Sequence, residues 1–563
     1  VSTAADLPPY DRERLLGAPF PERVRLACRT WASQAQPTPF AVIVFYWVKY
    51  GLFFVGGFVA IVYATSPASS ETPLLFSAVA FQKAILWALF YESAGFGCSA
   101  GPMNARYSPP IGGFLYFLRP GTTKLPLFPG LPLLGGDRRT LFDVALYAAN
   151  MVFLLRALLA PEVTTELLWP SVVLLPLLGI TDTTLFLAAR GEHYWVALVA
   201  LAVAGSEALF VPACMLIWCA IWFWAATSKL NHHFPSVIMV MMNNGPFFPR
   251  FLKQRLFRDY PDDLRPSRLA TAMAVAGTFT EYMIPVILLC SDSVLVTSAG
   301  LLVMTCFHGF IAANNPSGMP IEWNIVMIYG GIFLFGFHPE ASIASLAAMP
   351  GLALFFAVML FALPAYGNFV PSRVSFLLAM RYYAGNWAYN IWLFRKGTEA
   401  KLAKLVKAAP TFREQLEKVV PDPAFVDVAL CLSMSHRFMH LEGRPLYDAL
   451  PQAVDDIDEY DWVDGEILGG QVIGWNFGDG HLNGRRLLGA VQRQCGFEEG
   501  ELRVVSVESQ PLFGTAMQWS IHDAKSGLVA EGETAIAPAR ALPPWPTGAA
   551  AKALAPRQKA SSE

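Results

Sequence analysis

The sequence predicts an all-α polytopic membrane bundle of about ten transmembrane helices with a small cytoplasmic α+β domain at its C-terminal end. Three observations predict it. Of the 563 residues, 54% are hydrophobic and only 15% charged, where a soluble globular chain carries about 25% charged. Apolar runs long enough to cross ~30 Å of hydrocarbon recur over the first two-thirds of the chain. Lys and Arg, finally, are absent from every second connection between those runs.

The runs fall near residues 39–64, 75–93, 140–160, 168–189, 193–206, 208–227, 269–291, 294–313, 322–338 and 348–368. Gly205-Ser206-Glu207 is either a turn between the fifth and sixth or a kink in one long helix. Counting it as a turn keeps the basic loops in phase. With the N-terminus inside, the outer loops near 65–74, 161–167, 205–207, 291–293 and 339–347 contain no Lys or Arg. The inner segments hold Arg106, Arg119, Lys124, Arg138, Arg139, and the set from Lys229 to Arg268. Both termini are therefore expected in the cytoplasm, and the first helix is expected to act as an uncleaved insertion signal.

Residues 1–38 form a cytoplasmic N-terminal segment in which Pro21–Gln34 mixes arginines with Val24, Leu26, Ala27 and Trp31 at helical spacing, as an interfacial helix does. An ordinary solvated helix fits equally. The transmembrane domain covers 39–370, and 371–398 carries an aromatic and basic belt (Arg381, Tyr382, Tyr383, Trp387, Tyr389, Trp392, Arg395, Lys396) read as a juxtamembrane helix. Residues 399–540 have soluble composition, with helical patterns at 399–420 and 423–450 and strand patterns at 502–509, 515–522 and 527–536. Residues 541–563, rich in Ala and Pro, read as a disordered tail.

Composition excludes some functions. A net charge of −2 with no basic stripe argues against a nucleic-acid partner. The eight cysteines include no C-x-x-C pair, so a disulfide framework or zinc cluster is not expected. No metal site and no cofactor is assigned. Membrane lipids are the expected surroundings, and a lipidic or quinone-type small molecule the expected partner.

Ionisable residues inside apolar spans are costly and point to function; here they are Lys49, Lys83, Glu92, Asp182, Glu207, Glu281 and His308, with Lys49–Glu92 a possible structural pair. The densest constellation is CAIWFWAATSKLNHHFPSVIMVMMNNGPFFPR, where a helix ends in Lys229, Asn231, His232 and His233. An apolar stretch too short to span follows, closed by Asn243, Asn244, Gly245 and Pro246, as in a re-entrant segment lining a cavity. Topology brings His308, Asn315 and Glu322 to the same face. Lys229, His233, Glu281 and His308 are the candidate acid–base residues. Asn231, His232, Asn244, Asn315 and Glu322, with Arg106 and Arg119 from the Gly- and Pro-rich 91–126 segment, are the candidate substrate-binding residues. The competing account is that Lys229 and the histidines snorkel to the interface. In the C-terminal domain, His436 and His440 are spaced i, i+4, and GWNFGDGHLNGRR concentrates Asp479 and His481 among glycines; both also suit a polar surface.

Two resemblances rest on these segments. Over nearly its full length, through TSKLNHHFPSVIMVMMNNGPFFPR, HGFIAANNP and the GDGH-containing C-terminal domain, the chain resembles an actinobacterial family of transmembrane proteins of unknown function. That resemblance implies a bacterial inner-membrane location and no activity. More distantly, residues 200–320 are similar to the transmembrane domain of vitamin K-dependent gamma-carboxylases, which implies Lys229 as a base toward a reduced quinone, oriented by His233 or His308. No carboxylase lumenal domain is recognisable, and the carboxylation reaction is not carried over. The leading expectation is a membrane enzyme acting on a lipidic, isoprenoid or quinone-type substrate in a cytoplasm-facing cavity. A lipid or small-molecule transporter and a membrane scaffold that recruits a partner are the alternatives.

Overall fold

The computed structural model describes residues 12–34, 44, 46–67, 73–97, 114–245, 247–314, 320–418, 422–474, 479–546 and 557–558. Arg106, Asn315 and most of the 541–563 tail fall outside these residues.

Two short helices lead, α1 (Arg12–Gly17) and α2 (Phe20–Gln34). The apolar segments follow as α3 (Val48–Thr65), α4 (Ala78–Ser93), α5 (Leu141–Leu159), α6 (Thr165–Thr181), α7 (Gly191–Ala204) and α8 (Glu207–Ser228). After the short α9 (Phe234–Asn244) come α10 (Arg268–Cys290), α11 (Val294–Ala312), α12 (Ile321–Gly336) and α13 (Pro350–Phe369). Every run read from the sequence contains a helix, yet only six helices among the described residues are long and apolar enough to cross a membrane: α3, α5, α8, α10, α11 and α13. Of the expected spans, six helices meet this criterion, and α4, α6, α7 and α12 are shorter helices. The physical reasons are local. α4 has 16 residues and carries Lys83 and Glu92. α6 ends where the Asp182 side chain turns to accept from the Thr184 N–H at 3.1 Å and cap a separate turn.

Gly205, at φ +67°, ends α7, and α8 packs back against it, so the break is a turn between two helices. α8 is the hub, with 78% of its apolar window buried inside the protein; α11 has only 17% buried. Val275 and Phe279 on α10 and Val294, Leu295 and Leu302 on α11 are exposed, a surface suited to hydrocarbon.

The C-terminal region is built on a six-stranded antiparallel sheet of β1 (Tyr389–Arg395), β2 (Tyr460–Asp464), β3 (Leu502–Val507), β4 (Ala516–Asp523), β5 (Gly527–Ala535) and β6 (Arg557–Gln558), in the order β2-β1-β3-β4-β5-β6. Alternation divides its side chains between two cores. Ile391, Leu393, Val505, Val507 and Ile521 pack with α2 and α9; Trp392, Phe394, Leu502 and Val504 pack with α15 (Gly465–Ile473) and α16 (Leu487–Cys495), after α14 (Pro423–Ser433) has crossed the N-terminal pair.

Two expectations change here. Residues 371–398 are not a juxtamembrane helix: short 3-10 turns lead into β1, and Arg381 is buried, donating to the carbonyls of Pro371 (3.2 Å) and Val374 (2.8 Å) and to Ser509 Oγ. An aromatic and basic belt reads alike whether it faces headgroups or carbonyls, and the carbonyls prevail. The apolar face of α2 is covered by protein rather than laid on lipid: Val24, Cys28 and Trp31 are buried, and the Phe20 ring lies 5.2 Å from the rings of both Tyr447 and Trp462.

Candidate functional site

Trp222 and Lys229, two turns apart on α8, project from one face of that helix. Across from them α10 presents Met273, Gly277 and Glu281 at intervals of one turn, and α11 presents Phe307, His308 and Ile311. Lys229 and these α10 and α11 residues, with Phe234, Val237 and Met241 of α9, Trp323 and Asn324 of α12, and Tyr382–Gly385 and Trp387, enclose a cavity of about 160 Å³. A cavity of about 150 Å³ holds one benzene ring, whereas sites for whole drug-sized molecules run to ~300 Å³ or more. This one takes a single ring-sized group.

Its walls are aromatic and aliphatic apart from one ion pair, the His308 ring and the Asn324 amide. The Lys229 ammonium pairs with the Glu281 carboxylate, both almost wholly buried, and Nζ lies 5.1 Å from the Phe234 ring centre and 5.4 Å from that of Phe307. Such placement combines charge pairing with cation–π attraction. His308 is held at both nitrogens. Trp222 Nε1–H donates to Nε2 at 2.9 Å, so Nε2 is bare and Nδ1–H donates to Asn324 Oδ1 at 2.8 Å. Asn324 in turn donates to the Pro320 carbonyl at 2.8 Å. His308 is therefore a fixed neutral wall group. Its sequence-based role as a free acid or base does not match this geometry.

The sequence-derived candidates separate. Lys229, Glu281 and His308 come together at the cavity. His233 stands behind it, donating from Nε2 to the Ala384 carbonyl at 3.0 Å. Asn231 and His232 face the C-terminal domain instead: Asn231 donates to Gln510 O at 3.1 Å and the His232 N–H to Gln510 Oε1 at 2.8 Å. Asn244 is half-buried at the end of α9 and Arg119 is exposed.

Glu322 belongs to another buried group. Arg190, between α6 and α7, donates from Nε to Glu92 at 2.8 Å and from Nη2 to Glu322 at 3.3 Å, with all three side chains fully buried. Its guanidinium also lies 4.9 Å over the Tyr382 ring. Glu92 therefore has Arg190 as an ion-pair partner, while Lys49 Nζ lies 3.5 Å from Gly97 O. Sequence reasoning missed Arg190 because it falls between two apolar runs. It also missed Trp222 and Asn324; their heptad and i+16 relations to Lys229 and His308 become visible only once the helices pack.

In the C-terminal domain His481 Nε2 meets Glu508 at 2.8 Å and Nδ1 lies 3.6 Å from Asp479. Despite burial, those two carboxylates raise the His481 pKa above its ordinary value, and the imidazolium holds Glu508 down at about 2. Among the described residues no group of three or more His, Cys, Asp or Glu side chains is placed to hold a metal ion.

Long apolar helices around a buried, aromatic-lined cavity define an integral membrane protein. Residues 2–553 match the family described as transmembrane protein of unknown function (DUF3556), and the chain belongs to that family. No curated protein and no solved structure matches it.

Proposed function

We propose that the protein binds the ring-sized end of a lipidic molecule, isoprenoid or quinone in type, in the Lys229–Glu281 cavity and performs acid–base chemistry on it. One observation carries this reading: a buried ammonium–carboxylate pair borders empty apolar space on the side of the helices whose outer faces suit lipid. Gly277 belongs to that wall, and a Cβ built there meets nothing within 4 Å, which supports entry from the bilayer between α10 and α11. As an ammonium, Lys229 passes a proton to a ligand oxygen; as an amine it takes one from a hydroxyl, with Glu281 balancing the charge. His308 positions the wall through Asn324 and Trp222. The basic inner loops favour both termini in the cytoplasm, and the resemblance stated above favours a bacterial inner membrane.

The test is mass spectrometry of small molecules that co-purify with the full-length protein in native nanodiscs. Wild type is expected to retain a specific lipid or quinone, lost in Lys229→Ala and reduced in Gly277→Leu, which fills the open wall. Equal retention by folded Lys229→Ala protein overturns the assignment.

A further inference from the structure

A second cavity, outside the membrane-spanning helices, has the size and lining of a ligand site. It encloses about 380 Å³ between the N-terminal helix pair, which contributes Leu16 and Arg23, and the C-terminal domain, which contributes Phe412, Trp462 and Gln471. That volume falls within the ~300–1,000 Å³ of small-molecule sites.

Gln471 distinguishes it. The residue is 1% exposed, and neither its amide nitrogen nor its amide oxygen has a hydrogen-bond partner among the described residues. Its backbone is fixed, because the Gln471 carbonyl accepts from Ala408 N at 2.7 Å and Ala409 N at 3.1 Å. The next carbonyl, that of Val472, accepts from Tyr116 OH at 2.5 Å. A buried amide with both halves unmet is costly, and native structures rarely leave one without a ligand or water. Its donor and acceptor lie side by side, so the complement is a planar edge with the opposite pair.

The remaining lining narrows the ligand. Arg23 is paired with Asp458 and Arg413 with Asp427, each at 2.8 Å, and Lys396 lies near Asp461, so the lining carries charges of both signs. Glu399 and Asp461 remain as acceptors; burial raises the pKa of both from the ordinary carboxylate value, helped by Asp461 at Glu399 and by Asp427 at Asp461. Carboxylates in this role accept from ribose hydroxyls, and a side-chain amide reads the amino group and ring nitrogen of adenine in a bidentate manner. Phe412 and Trp462 supply aromatic wall for the faces of a ring.

We propose that this cleft binds a nucleoside of adenine type, the base edge on the Gln471 amide and the ribose toward Glu399 and Asp461. The full-length protein in nanodiscs is titrated calorimetrically with adenosine, guanosine, cytidine and purine riboside, which lacks the exocyclic amine. Adenosine is expected to bind saturably, purine riboside roughly tenfold or more weakly, and Gln471→Leu to lose adenosine. Glu399→Gln is expected to weaken adenosine more than 2′-deoxyadenosine. Absence of saturable adenosine binding overturns the proposal, as does equal affinity for purine riboside; that comparison uses wild-type protein and stands even where Gln471→Leu fails to fold. Lys229→Ala should leave adenosine binding unchanged, which separates this site from the membrane cavity.

Discussion

Lys229–Glu281 and Arg190–Glu92–Glu322 are both buried ionic groups among apolar helices, but they are built to opposite ends. Arg190 engages two carboxylates and stacks over Tyr382, and all three ionic side chains are fully buried. Lys229 has one carboxylate, two flanking rings and an empty space beside it. The difference teaches that an ionisable residue in a membrane helix is not a site by its presence alone. What separates a fastening from a functional group here is whether open space adjoins it.

The largest effect should come from breaking the enclosed group. Arg190→Gln leaves Glu92 and Glu322 buried with their shared cation gone, a loss of about 3–5 kcal/mol. We expect sharply reduced folded yield and a much lower unfolding temperature in detergent. Lys229→Met, whose stranded Glu281 borders space that water can enter, should cost less. Equal losses in the two variants would erase the distinction between fastening and site.

Asn324→Leu sharpens the cavity side of the comparison. It removes the acceptor of His308 Nδ1–H, at a cost of about 1–3 kcal/mol for the group left unmet. If His308 is a wall group fixed by that bond, ligand retention should fall while Lys229 and Glu281 are intact. Unchanged retention would show that the orientation of His308 is immaterial.

Much of this was legible in the sequence, for reasons that also explain the rest. Apolar runs and turn residues locate helices because hydrocarbon admits little else, and the Lys229, Glu281 and His308 positions stand out because charge is rare in such runs. β1 was hidden: buried on both faces, it lacks the polar alternation that marks a half-buried strand. Its Trp392 and Arg381 before it therefore resemble a headgroup belt. Asn231 and His232 share the polarity of Lys229 but point to Gln510, a partner 278 or more residues away. Helix ends can be read locally; which wall a side chain joins cannot.

The His481–Glu508 pair extends the comparison to partial exposure. His481→Gln should cost about 1.5–3 kcal/mol, the range for a charge-assisted hydrogen bond. The sign of its pH dependence follows from both partners. The His481 contribution is complete below its ordinary pKa of about 6.5 and fades as pH rises through the raised folded value. The Glu508 contribution is complete above the ordinary glutamate range and fades as pH falls toward about 2. Wild type and variant should differ most at mildly acidic pH and converge on either side, as followed by thermal unfolding.

Arg23→Ala should have the smallest effect. Its partner Asp458 is 37% exposed, so solvent screens the pair, and about 0.2–1 kcal/mol is expected from it. The guanidinium also lies 5.5 Å over the Trp462 ring, and it donates to the Ala18 carbonyl at 2.8 Å. Loss of these contacts should loosen the turn between α1 and α2 without releasing α2, whose Val24, Cys28 and Trp31 stay buried. Hydrogen exchange should then accelerate at Gly17 and Ala18 and remain slow through Val24–Trp31. Fast exchange over the whole of α2 would mean that charge, rather than the apolar face, holds it to the C-terminal domain.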